Sequence, residues 1–207
     1  MEGELIAVDV GPAEDTGVVG CSDQFLEVGD VLPDLPLFYN RTQPEHSWGT
    51  AEMLSVLMDT GRHMRWLLPE ASALTIGDIS ARHGGFLSGH LSHRGGVDAD
   101  VGIFRAGAWQ DPRGFTKLGN DFDVEANWAL ISTLLDTGKI DFLLLDQSHI
   151  NRLKAYTLQK GLLTQEEVDA IFPSARAWEH PGVVRHAPNH LDHVHVRVLC
   201  SDGSRPG

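Results

Sequence analysis

The chain has 207 residues, 42% of them hydrophobic and 22% charged, which suits one globular domain with a substantial core. Its net charge of −13 argues against nucleic-acid binding and against adhesion to anionic membranes. No apolar run approaches the roughly 20 residues that span a bilayer, so no membrane insertion is expected. The first residues lack a basic stretch followed by an apolar one, so no signal peptide is visible. A cytoplasmic location, export by another route and a trimmed chain all stay open.

The distribution of apolar residues divides the chain into three parts. Residues 1–35 are rich in Gly, Asp and Pro without sustained periodicity and predict an N-terminal arm. Residues 36–200 predict the folded domain, and residues 201–207 a tail. Strand and helix signals in the domain do not alternate strictly, which favours an α+β fold whose small antiparallel sheet is flanked by helices.

The first half of the domain predicts one helix and two strands. In chain order the elements are a helix between Thr50 and Pro69, a buried strand over 74–80, a Gly- and His-rich loop over 83–96, a strand over 97–104 and a long loop over 105–120. The period of two in the second strand places Asp98 and Asp100 on one face. Long loops in compact domains are often functional.

The second half predicts three helices and two strands. In chain order these are a helix over 124–137, an apolar strand over 140–145, a helix capped by Ser148 that ends near Lys160, a short helix behind Thr164 and a strand over 192–200. Thr164 and Glu167 have the spacing of a capping box. Alternation in the last strand places His193 and His195 together on the face opposite its valines.

Two clusters of imidazoles and carboxylates are the chain's clearest chemical signal. They read His90-Leu-Ser-His93-Arg-Gly-Gly-Val-Asp98-Ala-Asp100 and His190-Leu-Asp-His193-Val-His195. This mixed nitrogen and oxygen set suits a catalytic zinc with an open position. His93 and one of the two aspartates can converge on one ion, and the spacing does not say which aspartate. One histidine of the second pair can bind the metal while the other reaches a bound water or a substrate oxygen.

Other interpretations of these residues stay open. The aspartate pair also suits a solvated strand face or a calcium-type oxygen site. Cys21 and Cys200 either form a disulfide or remain two separate thiols. Serine-nucleophile, nucleotide-binding and H-E-x-x-H motifs are absent from the sequence. The remaining histidines show no comparable arrangement and are expected on the surface or in the core, with His83 a weak exception because of its Gly-rich loop: His46, His63, His83, His149, His180 and His186.

At the two clusters the chain resembles the penicillin-insensitive murein endopeptidases. These belong to the wider group named after lysostaphin, D-alanyl-D-alanine carboxypeptidase and Sonic hedgehog. The group's pattern, H-x6-D followed by H-x-H, is met by His93 through Asp100 and by His193 through His195. The narrower pattern G-H-x-S-H-Q-x-G-L-D-x-D is similar to residues 89–100, with arginine for the usual glutamine and valine for the leucine. The resemblance spans roughly residues 38–200 and includes Trp48-Gly49, residues 76–80 and residues 193–197; most of the family's cysteines are missing.

The resemblance implies a role for each candidate site residue. By this resemblance, zinc (Zn2+) would be held by His93, Asp100 and His195, with Asp98 beside the site rather than on the ion. His193 would assist the water as a base or stabilise the oxyanion, and the remaining two histidines would line the site: His90 and His190.

The implied reaction is zinc-dependent hydrolysis of D-alanyl–diaminopimelyl cross-links in peptidoglycan, by a periplasmic or secreted enzyme. Export by a dedicated secretion system would also fit the missing signal peptide. One alternative is a D,D- or L,D-carboxypeptidase of the same group, which needs an arginine for the terminal carboxylate; Arg94 and Arg113 are available. Another is a non-catalytic zinc module that binds cell wall or a protein partner. The oligomeric state is not predicted.

Overall fold

A computed structural model describes residues 21–116, 121–173 and 181–207. The helices within these ranges are α1 Ala51–Leu67, α2 Val124–Asp136, α3 Gln147–Gln159 and α4 Gln165–Ile171. The strands are β1 Asp30–Val31, β2 Tyr39–Arg41, β3 Trp48–Gly49, β4 Leu74–Ile76, β5 Asp98–Gly102, β6 Ile140–Leu145, β7 Val183–His186 and β8 His193–Val198. A short 3-10 helix lies at Pro44–His46. The predicted α+β class is confirmed.

The described strands form one six-stranded sheet and one two-stranded sheet. The order in the larger sheet is β2-β4-β5-β8-β6-β7, and β1 pairs with β3. Pairing is antiparallel from β4 through β5 and β8 to β6, whereas β2 and β7 join the edges in parallel. The sheet is therefore larger than the small antiparallel one expected, and mixed. Its antiparallel centre contains both strands that carry the candidate site.

One face of this sheet is closed by the apolar core. The valines of β8 alternate with its polar residues, and the three valines are fully buried together with Leu57 of α1 and Leu130 of α2. Each such buried aliphatic side chain contributes about 1.5–3 kcal/mol relative to an exposed one. Because the valines occupy the core face, the histidines and aspartates of β5 and β8 must lie on the other face.

The helix ends follow the predicted capping rules with one correction. Thr50 caps α1, and Thr164 with Glu167 forms the predicted capping box of α4. The cap of α3, however, is Asp146 and not Ser148. The Asp146 carboxylate accepts both the backbone N–H and the hydroxyl of Ser148, at 2.8 and 2.6 Å, so the serine lies inside the first turn. A carboxylate at that point also interacts favourably with the positive end of the helix.

A disulfide joins Cys21 to Cys200, just beyond the end of β8. Backbone hydrogen bonds also join the two segments next to the disulfide: Asp23 donates its N–H to the Gly207 carbonyl at 3.1 Å, and Gly207 donates to the Cys21 carbonyl at 3.2 Å.

The predicted strands over 74–80 and 97–104 are shorter than expected, because regular pairing ends at Ile76 and Gly102. Among the described residues, none of the helices is both long and apolar enough to cross a membrane.

Candidate metal centre

Strand pairing brings the two clusters together on the open face of the sheet. Asp100 of β5 lies opposite His195 of β8, and Gly102 lies opposite His193. The two-residue period then places the side chains of Asp100, His193 and His195 on the same face. A site on two central strands is more rigid than one on loops.

A tight turn brings His93 to the same place. His93 has a φ of 60°, in the left-handed region that few non-glycine residues adopt. The turn continues through Gly95, where a Cβ would stand 2.0 Å from the Ser22 carbonyl oxygen, so only glycine fits there. The close packing of this loop on residues 22–23 thus supports the position of His93.

Three imidazole nitrogens surround one carboxylate oxygen, Oδ1 of Asp100. The His195 Nδ1 lies 3.1 Å from it, the His93 Nε2 3.2 Å and the His193 Nε2 3.7 Å. His93 is 1% exposed, and Asp100 and His195 are each 4% exposed, whereas the His193 side chain is more open. Two histidines and the aspartate therefore form a buried group, with His193 at its solvent side.

The second nitrogen of each of these rings is bound to the protein. His93 donates from Nδ1 to the Ile79 carbonyl at 3.2 Å, and His195 donates from Nε2 to Asp98 at 2.8 Å. His193 donates from Nδ1 to Asp192 at 2.8 Å. In the neutral rings that a metal ion requires, these bonds place the lone pairs of His93 Nε2, His195 Nδ1 and His193 Nε2 toward the centre, as in metal sites where an outer partner sets the tautomer.

His90 adds a fourth imidazole beside the group. One possible ligand atom each from His90, His93 and Asp100 lies within 4.8 Å of the other two, so these three could also hold a metal ion. The His90 Nε2 donates to Oδ2 of Asp78 at 2.9 Å. The other oxygen of Asp78 accepts from Nδ1 of His46 at 2.8 Å. The site thus extends outward through a row of His90, Asp78 and His46.

His46 and Asp78 were missed in the sequence. His46 was expected on the surface or in the core, and no spacing pattern connects it with residues 32 positions further along. The one available signal was the match at residues 76–80, which contains Asp78 but assigns it no role. The structure places His46, partly exposed, in contact with Asp78 beside the candidate site.

His190 and an aromatic ring border the open side. The His190 ring lies 4.9 Å from that of His193, and its Nδ1 donates to the Pro188 carbonyl at 2.7 Å. Phe115, from the long loop over 105–116, stacks on His193 with ring centroids 5.1 Å apart. The long loop, which was expected to be functional because of its length, thus places an aromatic side chain against a candidate site residue.

The buried charges shift one another's protonation. Burial favours the neutral forms, but hydrogen bonds with Asp100 and Asp98 and their charges raise the pKa of His195 to about 9. Burial would likewise raise the pKa of Asp100, yet hydrogen bonds from His195 and His93 hold it well below the usual range. The pKa of Asp98 is lowered for the same reason, with Arg197 as a further partner. Burial lowers the pKa of His190, so this ring is neutral at pH 7.

The residues present fit a zinc ion. Ligand atoms bound at 2.0–2.1 Å in a tetrahedral site stand about 3.3 Å apart, close to the 3.1 and 3.2 Å from Asp100 Oδ1 to the His195 and His93 nitrogens. Nitrogen and carboxylate donors are also the set that zinc accepts. His93 and Asp100 form a compact group with His90, whereas His195 joins them through its 3.1 Å contact with Asp100.

All six predicted site residues converge on this centre, whereas the two candidate arginines do not. Arg94 donates to Gln24 at 3.2 Å, and Arg113 pairs with Asp111 at 3.1 Å on an exposed loop. Neither contact is with the metal group. His180 lies outside the described residues. The individual roles of the six residues stay predictions: His90, His93, Asp100, His190, His193 and His195.

Comparisons with known proteins bear on the first of the two clusters. No curated protein matches the chain. The matching family model covers residues 30–121, from β1 through the loop that carries Phe115. It includes His90, His93 and Asp100, while the second cluster lies beyond it. Over residues 30–121 the chain matches the penicillin-insensitive murein endopeptidase family, which confirms the resemblance predicted from the sequence.

Proposed function

We propose that this protein is a zinc-dependent peptidase that hydrolyses D-alanyl–diaminopimelyl cross-links in peptidoglycan. The family match indicates a murein endopeptidase. The observation that carries the zinc chemistry is the convergence of three imidazole nitrogens on Oδ1 of Asp100, within 3.1–3.7 Å. Only three of these four donors are buried, since His193 is partly exposed, whereas a closed structural zinc site uses four protein ligands.

In this proposal His93, Asp100 and His195 hold the zinc. Their rings and carboxylate are buried, and each histidine is anchored through its other nitrogen, so the donors are preorganised. When bound, zinc would polarise the scissile carbonyl and lower the pKa of a coordinated water to about 7. His90, which is more exposed and bound to Asp78, lines the site beside the ligands.

His193 is proposed as the general base. Its Nδ1–H is held by Asp192, which leaves Nε2 free to accept a proton from the attacking water. The same nitrogen can then donate that proton to the leaving amine of the cleaved peptide. Phe115 stacks on this ring and restricts its rotation. His190, neutral and bonded through Nδ1 to Pro188, presents an unprotonated Nε2 that can accept a substrate N–H.

Direct attack by water would explain insensitivity to penicillin. No side chain in this scheme forms a covalent bond with the substrate, so a β-lactam has no nucleophile to acylate. Peptidoglycan lies outside the cytoplasmic membrane, and the family suggests a role there. The Cys21–Cys200 disulfide is consistent with an oxidising compartment. We therefore propose action in the periplasm or after secretion.

The test is digestion of purified cross-linked muropeptides by the protein and by His195→Ala. The proposal expects conversion of dimers to monomers by the wild type and loss of that activity in the variant. His63→Ala, which alters an exposed histidine of α1, is the matched control and should keep full activity. Release of free alanine would indicate the carboxypeptidase instead. Zinc binding without any cleavage would indicate a non-catalytic module.

Zinc affinity distinguishes the two ligand sets. His195→Ala should abolish tight binding if His195 is a ligand, whereas His90→Ala should retain it. The reverse order would assign the third position to His90 and refute the proposed set.

A further inference from the structure

A buried ion pair lies directly behind the candidate ligand His195. Asp98 is fully buried, and its Oδ1 accepts from His195 Nε2 at 2.8 Å. Arg197 binds the same carboxylate through two bonds, from Nε to Oδ1 and from Nη2 to Oδ2, both 2.8 Å long. Two parallel bonds of this kind fix both the position and the rotation of a carboxylate.

Arg197 is itself held in place. Its guanidinium lies 5.3 Å from the centre of the Phe142 ring, and its Nη1 lies 3.8 Å from Oδ2 of Asp23. Asp23 follows the disulfide-bonded Cys21 by two residues. The chain of contacts therefore runs from the disulfide end of the sheet to the back of His195, with every member on a β-strand or beside the disulfide.

The hydrogen bond to Asp98 decides which nitrogen of His195 faces the metal group. A carboxylate acceptor at Nε2 keeps the hydrogen of the neutral ring there, so the lone pair is on Nδ1, 3.1 Å from Asp100. The opposite tautomer would present an N–H to the ion and could not bind it. We propose that Asp98 and Arg197 are positioning residues that hold His195 as an Nδ1 ligand. This inference rests on the proposed zinc site.

An isosteric change at Asp98 tests the mechanism. In Asp98→Asn an NH2 group replaces one of the two carboxylate oxygens. If it replaces Oδ2, it faces the Nη2 donor of Arg197; if it replaces Oδ1, it faces the donors Arg197 Nε and His195 Nε2. Either orientation places two hydrogen-bond donors against each other. The second arrangement also favours the wrong tautomer of His195, as loss of a tautomer-setting carboxylate does elsewhere. Loss of such an outer partner usually weakens metal binding about 10–100-fold.

The measurement is zinc affinity by chelator competition on the full chain, which needs no substrate. Asp98→Asn should lose about 10–100-fold in affinity. Arg197→Lys keeps the charge but loses the two-pronged contact, so it should show a smaller loss in the same direction. Arg185→Lys is the matched control, because Arg185 also stacks on Phe142, at 5.2 Å, but from β7. It should bind zinc as the wild type does.

Nitrogen-15 NMR of the zinc-loaded wild type gives a second measurement, which does not require any variant to fold. The inference expects the protonated nitrogen of His195 to be Nε2 and the zinc-bound one Nδ1. Binding through Nε2, or wild-type affinity in both Asp98→Asn and Arg197→Lys, would overturn it. If the wild type cleaves murein but Asp98→Asn binds zinc as tightly as the wild type does, this inference is refuted and the proposed function is not. Failure of the wild type to bind zinc would refute the proposed function as well.

Discussion

Raising the pH from 7 to 8.5 should tighten zinc binding by about tenfold per pH unit, because zinc competes with a proton on His195. The ring lies between Asp98 and Asp100, whose hydrogen bonds and charges outweigh its burial and raise its pKa to about 9. At pH 7 such a group is neutral in about 1% of molecules. Freeing Nδ1 then costs about 3 kcal/mol, which falls by about 1.4 kcal/mol with each pH unit.

The assay is zinc competition against a chelator of known proton affinity at pH 7.0, 7.5, 8.0 and 8.5. This range lies above the ordinary histidine pKa, and any proton lost from a coordinated water adds to the slope. Asp78→Asn is the control, since it removes a carboxylate beside His90 rather than His195 and should leave the slope unchanged. A slope well below one log unit per pH unit would refute the reasoning.

The raised pKa of His195 also makes the stability of the metal-free protein depend on pH. A raised pKa stabilises the folded state fully below the unfolded value of about 6.5, and this contribution is lost as the pH rises through about 9. Chelated protein should therefore lose stability in urea between pH 6.5 and 9. Equal unfolding free energies at the two ends would contradict the assignment of a charged His195.

Three further variants test other parts of the structure. Asp78→Asn removes the anchor of His90 and should lower muropeptide turnover about tenfold with zinc affinity nearly unchanged; an equal loss in affinity would make His90 a ligand. Replacing Cys21 and Cys200 together by serine should lower the unfolding free energy by about 2–5 kcal/mol in urea, and an unchanged midpoint would speak against the disulfide. Leu130→Ala, which opens a cavity in the core beneath the sheet, should cost about 2–5 kcal/mol by the same measurement without changing zinc affinity.

Local periodicity predicted the part of the site that depends on strand geometry. The alternation in β8 placed His193 and His195 on one face because the intervening valines had to enter the core. The same rule placed Asp98 and Asp100 together, and the structure pairs Asp100 with His195. Spacing left open which aspartate would bind the metal, because it could not show that Arg197 of the neighbouring strand pairs with Asp98.

Contacts between residues far apart in the sequence could not be predicted from local sequence patterns. His46 meets Asp78 only because the turn before β3 lies against the segment after β4, where the backbone of Ile79 donates to the His46 carbonyl at 2.8 Å. The edge strands β2 and β7 have three and four residues, too short for a recognisable alternation. Their parallel pairing made the sheet mixed. The Cys21–Cys200 pairing likewise depends on where the two chain ends meet.

The most direct measurement is digestion of purified cross-linked murein with and without a chelator, with the products identified by mass. The proposed function predicts that dimers become monomers, that chelation stops the reaction and that zinc restores it. Undiminished cleavage after removal of the metal would contradict a zinc site at His93, Asp100 and His195.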